Sequence, residues 1–187
     1  MKKKVAIGID VGGTNTVFGF VDEAGECVYE SSILTHADQD ADQLFSRLFK
    51  KVNDDFTKYS ADYELIGIGI GAPNANYYKG TVELPPNLNC GIVNVLEIVK
   101  KYSPLPSAIT NDANAAAIGE MIFGAAKGMK DFIVITLGTG LGSGIVVNSE
   151  LVYGSDGFAG EIGHTIVDPN GRECGCGRKG CLETYAS

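Results

Sequence analysis

Three cysteines and a histidine near the end of the chain have the residue types and the spacing of a metal site. In EIGHTIVDPNGRECGCGRKGCLE, residues 161–183, His164 is followed by Cys174, Cys176 and Cys181 in the pattern H-x9-C-x-C-x4-C. One imidazole nitrogen and three thiolates are a ligand set that zinc takes in closed, tetrahedral structural sites. The sequence therefore predicts a structural Zn²⁺ at these four residues.

Other uses of the three thiols fit the pattern less well. A dithiol redox centre typically shows C-x-x-C, which this cluster lacks, and an iron–sulfur cluster typically takes four cysteines. A disulfide is also disfavoured, because it needs an oxidising compartment and thiols in the cytoplasm are kept reduced. The competing interpretation is three unligated cysteines in a glycine-rich loop.

Several polar residues could form a binding site with the cluster. Glu161, Glu183, His164 and the amide of Asn111 offer donors and acceptors that suit a polyol better than an apolar ligand. Asp112 stands where the predicted strand SAIT passes into an alanine-rich helix, and it could simply cap that helix. The same position at the mouth of a sheet also suits a general base that accepts a proton from a substrate hydroxyl.

Two glycine-rich segments lie between predicted strands, IDVGGTNT at 9–16 and TLGTGLGSGIVV at 136–147. Neither is a P-loop, because no Gly-Lys-Ser/Thr closes them, and neither is a Rossmann fingerprint, because a strand follows. Glycines let backbone N–H groups surround an anion, although each segment alone would also fit a tight turn. We expect Asp10 to hold Mg²⁺ through water. The expected phosphate contacts are Gly12, Gly13 and Thr14 in the first segment and Gly138, Thr139, Gly140 and Gly142 in the second.

The elements that must position these residues alternate between strand and helix. The first 34 residues predict an antiparallel meander of three strands, and apolar residues at helical spacing predict a helix over 38–58. Those apolar residues are Leu44, Leu48, Val52 and Phe56. Further strands are predicted at 63–73, 107–110, 131–138 and 145–153, helices at 93–102 and 113–126, and a loop at 73–91. This order predicts an α/β fold with mixed sheets.

Charge and hydropathy limit the partners of the chain. Fifteen basic and 23 acidic residues give a net charge of −8, which disfavours general binding to nucleic acid or to an anionic membrane. The apolar stretch behind the N-terminal lysines is too short for a signal peptide, and no apolar run reaches the ~20 residues of a membrane span. A cytoplasmic protein without nucleic-acid or membrane partners is therefore expected.

Five motifs in sequence order resemble the ROK family of sugar kinases and repressors, and most closely its bacterial glucokinases. They are IGIDVGGTN, NDANAAAIGE, TLGTGLGSGIV, GFAGEIGH and CGCGRKGCLE, and they span nearly the whole chain. The resemblance implies the actin-like ATPase (ribonuclease H-like) fold of hexokinase type, with two α/β lobes. Residues 1–112 would form the first lobe and residues 113–187 the start of a second, incomplete lobe. The implied activity is ATP-dependent phosphorylation of a hexose at its 6-hydroxyl, with glucose as the first expectation.

The resemblance also implies roles for individual residues. Asp112 matches the catalytic base. Asp10 and the two glycine segments match the sites for ATP and Mg²⁺, and His164 with the three cysteines matches a zinc site. Sugar contacts are implied at Asn111, Asp112, Glu161, His164 and Glu183. A homodimer is implied for the full-length form.

At two places the sequence departs from the family pattern, so the resemblance does not determine which sugar is the substrate. Pro73-Asn74 replaces a Pro-Gly pair, and PNLNCGI at 86–92 lacks an aromatic residue that often follows Asn-Leu. The chain stops at CLETYAS, where family members continue, which indicates a partial chain that could be inactive by itself. The alternatives are a kinase for an N-acetylhexosamine or fructose and a non-catalytic sugar-responsive regulator. The regulator is disfavoured because no helix-turn-helix precedes the first strand.

Overall fold

The computed structural model describes residues 1–85 and 91–187, which form two compact units, Met1–Asp112 and Ala113–Ser187. The predicted departure after Asn-Leu falls on residues 86–90 and lies outside the described residues. The elements of the first unit are β1 (Lys3–Val11), β2 (Asn15–Asp22), β3 (Cys27–Leu34), α1 (Ala41–Phe56), β4 (Tyr63–Gly71), β5 (Ala75–Asn76), β6 (Thr81–Glu83), β7 (Ile92–Asn94), α2 (Val95–Tyr102) and β8 (Ser107–Thr110).

The first unit is built on a five-stranded mixed sheet with the order β3-β2-β1-β4-β8. The predicted antiparallel meander of β1, β2 and β3 is confirmed, and β4 and β8 continue the sheet in parallel to β1. Alternate residues of β1 are buried, because successive side chains of a strand point to opposite faces. Because β1, β4 and β8 run parallel to one another, their carboxyl ends lie at the same edge of the sheet.

The predicted amphipathic helix over 38–58 is present as α1, Ala41–Phe56. The side chain of Asp40 caps it by accepting a hydrogen bond from the Gln43 amide at 2.8 Å. Leu44, Leu48 and Val52 are buried against the sheet, and the partly buried Phe56 packs at the margin of the same core. The apolar spacing predicted this packing because residues three or four apart share one helix face.

The prediction of a loop over 73–91 is wrong for part of the segment. Strands β5 and β6 lie within it and form a small antiparallel sheet with β7, which follows it. The buried side chain of Asn76 accepts hydrogen bonds from the Tyr78 and Lys79 amides and so closes the turn between β5 and β6. The helix predicted from residue 93 begins at Val95, because Asn94 ends β7 and caps α2. Strands of two or three residues are too short to give a periodic signal.

The second unit contains a three-stranded antiparallel sheet with the order β11-β10-β9. Its elements are α3 (Asp112–Ile122, whose first residue belongs to the first unit), β9 (Phe132–Leu137), β10 (Leu141–Val147), β11 (Glu150–Leu151), a short 3₁₀ helix (Ile162–His164) and α4 (Glu183–Ala186). The prediction of one strand over 145–153 is wrong, because Asn148 and Ser149 have left-handed φ values of 53° and 65° and make a turn. Within the described part of the chain, no helix has the length and apolar character to cross a bilayer.

Candidate functional site

The carboxyl ends of β1, β4 and β8 bring several predicted site residues of the first unit to one edge. Asp10 near the end of β1 is paired in register with Gly71 at the end of β4. The Ala72 amide donates to the Thr110 carbonyl at 3.1 Å, which joins the end of β4 to the end of β8. Asn111 and Asp112 follow Thr110 directly, and Asp112 is the first residue of α3. Such an edge is where open α/β sheets bind ligands.

Two carboxylates influence each other at this edge. Partial loss of hydration raises the pKa of Asp10, and the negative charge of Asp112 raises it further. Both side chains keep contact with solvent. A divalent cation would relieve the repulsion between the two carboxylates, so the donor set fits Mg²⁺.

The first glycine segment forms a tight turn between β1 and β2. The Gly12 amide donates to the Asn15 carbonyl at 3.1 Å, and a Cβ at Gly12 would lie 2.7 Å from that oxygen, which excludes a side chain. Gly13 lies between Gly12 and Thr14, and Thr14 is exposed to solvent. The turn therefore leaves the Thr14 side chain accessible to a ligand.

Thr35, the residue that follows β3, secures this turn, although the sequence patterns did not predict it. Its hydroxyl donates to the Gly12 carbonyl at 2.7 Å, and its amide donates to the Thr14 carbonyl at 2.9 Å. Thr35 is buried. No sequence signal identifies it, because its place beside the turn follows from the β2–β3 register, in which Leu34 pairs with Asn15.

The second glycine segment is partly strand. Residues 138–140 form the tip of the β9–β10 hairpin, where the Gly138 amide donates to the Gly140 carbonyl at 3.0 Å. Thr139 is exposed at this tip. Gly142 lies inside β10, where an added Cβ would come within 2.5 Å of Thr136 Oγ1 and 3.0 Å of Ala113 Cβ. The sequence predicted that Gly142 lies in a loop between two strands, and this is wrong because the residue lies within β10. The absence of a side chain at Gly142 allows β10 to pack closely against α3.

The histidine and cysteines predicted as metal ligands lie together in the second unit. One ligand atom from each of His164, Cys174, Cys176 and Cys181 lies within 4.8 Å of the others. His164 Nδ1 is 3.7 Å from Cys174 Sγ, and Cys176 Sγ is 3.6 Å from Cys181 Sγ. Bonds of about 2.3 Å to a tetrahedral zinc would place ligand atoms about 3.8 Å apart. The separations, none above 4.8 Å, are near this value, so the four residues fit a zinc site.

The local backbone explains how one short segment supplies three thiols. The Cys174 amide donates to the Arg178 carbonyl at 2.9 Å, and the Gly177 amide donates to the Cys174 carbonyl at 3.0 Å. Gly177 has a φ of 85°, which glycine adopts without strain. A bridge between Ile166 and Cys181 joins the end of the segment to residues near the 3₁₀ helix. These contacts fold residues 174–181 into a compact loop.

The three thiols differ in acidity when no metal is bound. The Arg178 amide lowers the pKa of Cys176 to about 6. For Cys174, a hydrogen bond from the Cys176 backbone lowers the pKa, but the Glu183 carboxylate and burial outweigh it and raise the pKa to about 12. Burial also raises the pKa of Cys181. A metal ion would have to displace the protons of the two less acidic thiols.

Glu183 lies between the cysteine cluster and the second glycine segment. Its Oε1 accepts a hydrogen bond from Cys174 Sγ at 2.8 Å and lies 3.5 Å from His164 Nδ1. Its Oε2 lies 2.9 Å from the position a Cβ would take at Gly140. Because His164 Nδ1 lies near both Cys174 Sγ and Glu183 Oε1, this nitrogen faces the cysteine cluster. Glu161 is exposed and immediately precedes the 3₁₀ helix, and its carbonyl accepts from the His164 amide at 3.1 Å.

The predicted site residues thus fall into two groups, one in each unit. The first unit contains Asp10, Gly12, Gly13, Thr14, Asn111 and Asp112. The second unit contains the hairpin tip, Glu161, His164, Glu183 and the three cysteines.

Comparison with known proteins gives consistent results over the whole chain. The sequence pattern of the ROK family matches residues 6–187. A glucokinase of Halalkalibacterium halodurans is 39% identical, with 100% of this chain and 58% of the relative covered. A xylose repressor of Caldicellulosiruptor bescii is 37% identical, with 97% of this chain and 46% of the relative covered.

Solved structures give the same family and the fold. A ROK family glucokinase from Streptomyces griseus, in complex with glucose and AMPPNP, superimposes with a TM-score of 0.82 at 38% identity, covering 98% of this chain and 57% of the other. The chain thus spans between about half and three fifths of the length of these relatives. The predicted actin-like ATPase fold is confirmed. On these matches the chain belongs to the ROK family.

Proposed function

We propose that the protein of which this chain is all or part is an ATP-dependent hexose kinase that phosphorylates the 6-hydroxyl of glucose. The observation that carries the proposal is the position of Asp112, which follows β8 and lies close enough to Asp10 to influence its pKa. The similarity to glucokinases, one of them bound to glucose and AMPPNP, supports the same activity.

In this proposal Asp112 orients the sugar. Its carboxylate accepts a hydrogen bond from the 6-hydroxyl and takes the proton as the sugar oxygen bonds to the γ-phosphorus of ATP. The bond from that phosphorus to the bridging oxygen breaks in the same step, and ADP leaves. Asn111, Glu161, His164 and Glu183 would hold the other hydroxyls. Phosphoryl transfer needs little covalent chemistry from the protein, so positioning and charge neutralisation carry most of the rate enhancement.

The glycine segments would bind the phosphates of ATP. The Gly13 amide and the exposed hydroxyl of Thr14 are suited to phosphate oxygens, and Gly12, whose amide donates to the Asn15 carbonyl, shapes the turn that presents them. At the hairpin tip, the amides of Thr139 and Gly140 and the Thr139 hydroxyl offer a second set of donors, and Gly138 closes the tip through its bond to the Gly140 carbonyl. Asp10 would hold Mg²⁺, which when bound supplies positive charge to the phosphate oxygens.

The cysteine cluster would hold a structural zinc that takes no part in the chemistry. His164 turns Nδ1 toward the cluster, so Nε2 would be the nitrogen that donates to a sugar hydroxyl. Glu183 follows the ligand Cys181 by two residues and lies beside Cys174 and His164, so a metal that fixes the cluster would also fix the backbone that carries this carboxylate.

Other functions remain as alternatives. The xylose repressor among the relatives supports a sugar-responsive regulator that keeps the pocket without catalysis. Within enzymes, a kinase for an N-acetylhexosamine or fructose would use the same motifs. A homodimer is part of the proposal for the full-length protein.

A panel of substrates tests the proposal. We would measure ADP release by the longest natural form of the protein with ATP, Mg²⁺ and glucose, N-acetylglucosamine, N-acetylmannosamine or fructose. Turnover that is fastest on glucose supports the proposal, and faster turnover on another sugar reassigns the substrate. Sugar binding without turnover on any of the four would favour the regulator.

A further inference from the structure

Ser143 connects β10 to the segment that carries Glu161. Its side chain is buried, and its hydroxyl donates to the Gly160 carbonyl. The same oxygen lies 3.3 Å from the Ile162 amide, which also donates to the Gly160 carbonyl at 2.8 Å. One hydroxyl therefore contacts the backbone on both sides of Glu161.

The backbone at this point lies very close to the strand. Gly160 has a φ of 94°, and a Cβ there would lie 2.9 Å from the Ser143 carbonyl oxygen. Only glycine permits this approach and this φ without strain. The Ser143 hydroxyl thus holds the segment against β10, and the absence of a side chain at Gly160 permits the close approach.

The residues held in this way are those expected to contact the sugar. Glu161 lies between the two contacts, and its carbonyl accepts from the His164 amide at 3.1 Å. Ile162 begins the 3₁₀ helix that ends at His164. A shift of the segment away from β10 would therefore move Glu161 and His164 together.

We propose that Ser143 is a positioning residue for hexose recognition, which holds Glu161 and His164 at the geometry that the sugar hydroxyls require. This inference rests on the proposed function. A hydroxyl suits the position because it donates to Gly160 and accepts from Ile162 at once. Alanine would leave the partly buried Gly160 carbonyl with one hydrogen bond fewer and would release the segment.

The test compares Ser143→Ala with Ser103→Ala in the longest natural form of the protein. Ser103 is also buried, and its hydroxyl accepts from the Leu105 amide at 3.3 Å, but it belongs to the first unit, whereas Glu161 belongs to the second. The readouts are kcat, KM for glucose, glucose affinity by calorimetry, zinc content and Tm. Ser143→Thr, which keeps a hydroxyl, serves as the rescue variant.

We expect Ser143→Ala to raise the KM and Kd for glucose about tenfold with a smaller change in kcat, because the binding groups shift while Asp112 is untouched. The three cysteine ligands are untouched and should still hold zinc, Tm should fall no further than in Ser103→Ala, and Ser143→Thr should recover most of the affinity. A glucose KM and Kd within twofold of wild type, or an equal loss in Ser103→Ala, would overturn the inference while leaving the kinase proposal intact. A wild-type protein that neither binds nor phosphorylates any hexose would overturn both.

Discussion

Asp10 and Asp112 lie at the carboxyl ends of two parallel strands of one sheet, and the charge of Asp112 raises the pKa of the Asp10 carboxyl. Two carboxylates that repel each other in this way destabilise each other unless a cation or a proton intervenes. The same pair contains the residue proposed to take the sugar proton and the residue proposed to hold Mg²⁺. The repulsion therefore acts between two residues of the proposed active site.

Replacing Asp112 with Asn should lower the pKa of Asp10 toward its ordinary value. The substitution removes one of the two causes of the increase and leaves the partial loss of hydration in place. Carbon-detected NMR titration of the Asp10 carboxyl measures the shift directly. An Asp10 pKa that is unchanged or higher in the variant would show that the two carboxylates do not interact.

Replacing Cys181 with Ser should abolish stoichiometric zinc binding and destabilise the second unit. Cys181 is fully buried in the cluster, and structural zinc contributes binding energy directly to folding. Cys27→Ser is the matched control, because Cys27 is exposed and lies outside the cluster. Metal analysis and thermal unfolding provide the two readouts. Zinc retained at one per chain in Cys181→Ser would contradict the ligand assignment.

Zinc binding to the metal-free protein should release protons and weaken as the pH falls. At pH 7, Cys176 with a pKa of about 6 is mostly ionised, whereas Cys174 with a pKa of about 12 is protonated. The pKa of Cys181 is also raised, so about two thiol protons should leave at pH 7 and about three below pH 6. Calorimetry in buffers of different ionisation enthalpy counts the protons. Zinc affinity that does not change between pH 5 and pH 8 would refute this expectation.

Replacing Gly142 with Ala should destabilise the protein more than replacing Gly138 does. A Cβ at Gly142 would collide with Thr136 Oγ1 and Ala113 Cβ, whereas nothing lies within 4 Å of a Cβ at Gly138. Overpacking of this kind costs about 1–3 kcal/mol, and an exposed substitution changes stability by about 0.5 kcal/mol or less. Chemical denaturation measures both values. Equal losses in the two variants would show that Gly142 is not constrained by packing.

The sequence predicted those elements whose pattern extends over several turns or strands. The meander and α1 were predicted because burial imposes a period of two on a strand and 3.6 on a helix. The sheet of β5, β6 and β7 was missed because its strands contain only two or three residues and the buried Asn76 forms their turn. The turn at Asn148 and Ser149 was missed because left-handed φ values at non-glycine residues depend on the surrounding structure.

Site residues were predictable where residue type limits the chemistry. A histidine and three cysteines have few common uses, and the structure brings the four together. Thr35 and Ser143 were not predicted, because each acts through a hydrogen bond to a backbone group that is distant in sequence. Such a contact depends on strand register and chain reversal, which a threonine or serine in a sequence does not reveal.

The measurement that tests the central claim most directly compares turnover and glucose binding in wild type, Asp112→Asn and Asp54→Asn. Asp54 is an exposed aspartate in α1 and controls for the loss of a charge. We predict that Asp112→Asn binds glucose with an affinity close to wild type by calorimetry but loses kcat by about 10²–10⁴-fold, because the proton acceptor is gone. Retention of more than about a tenth of the wild-type rate by Asp112→Asn would contradict its role as the base.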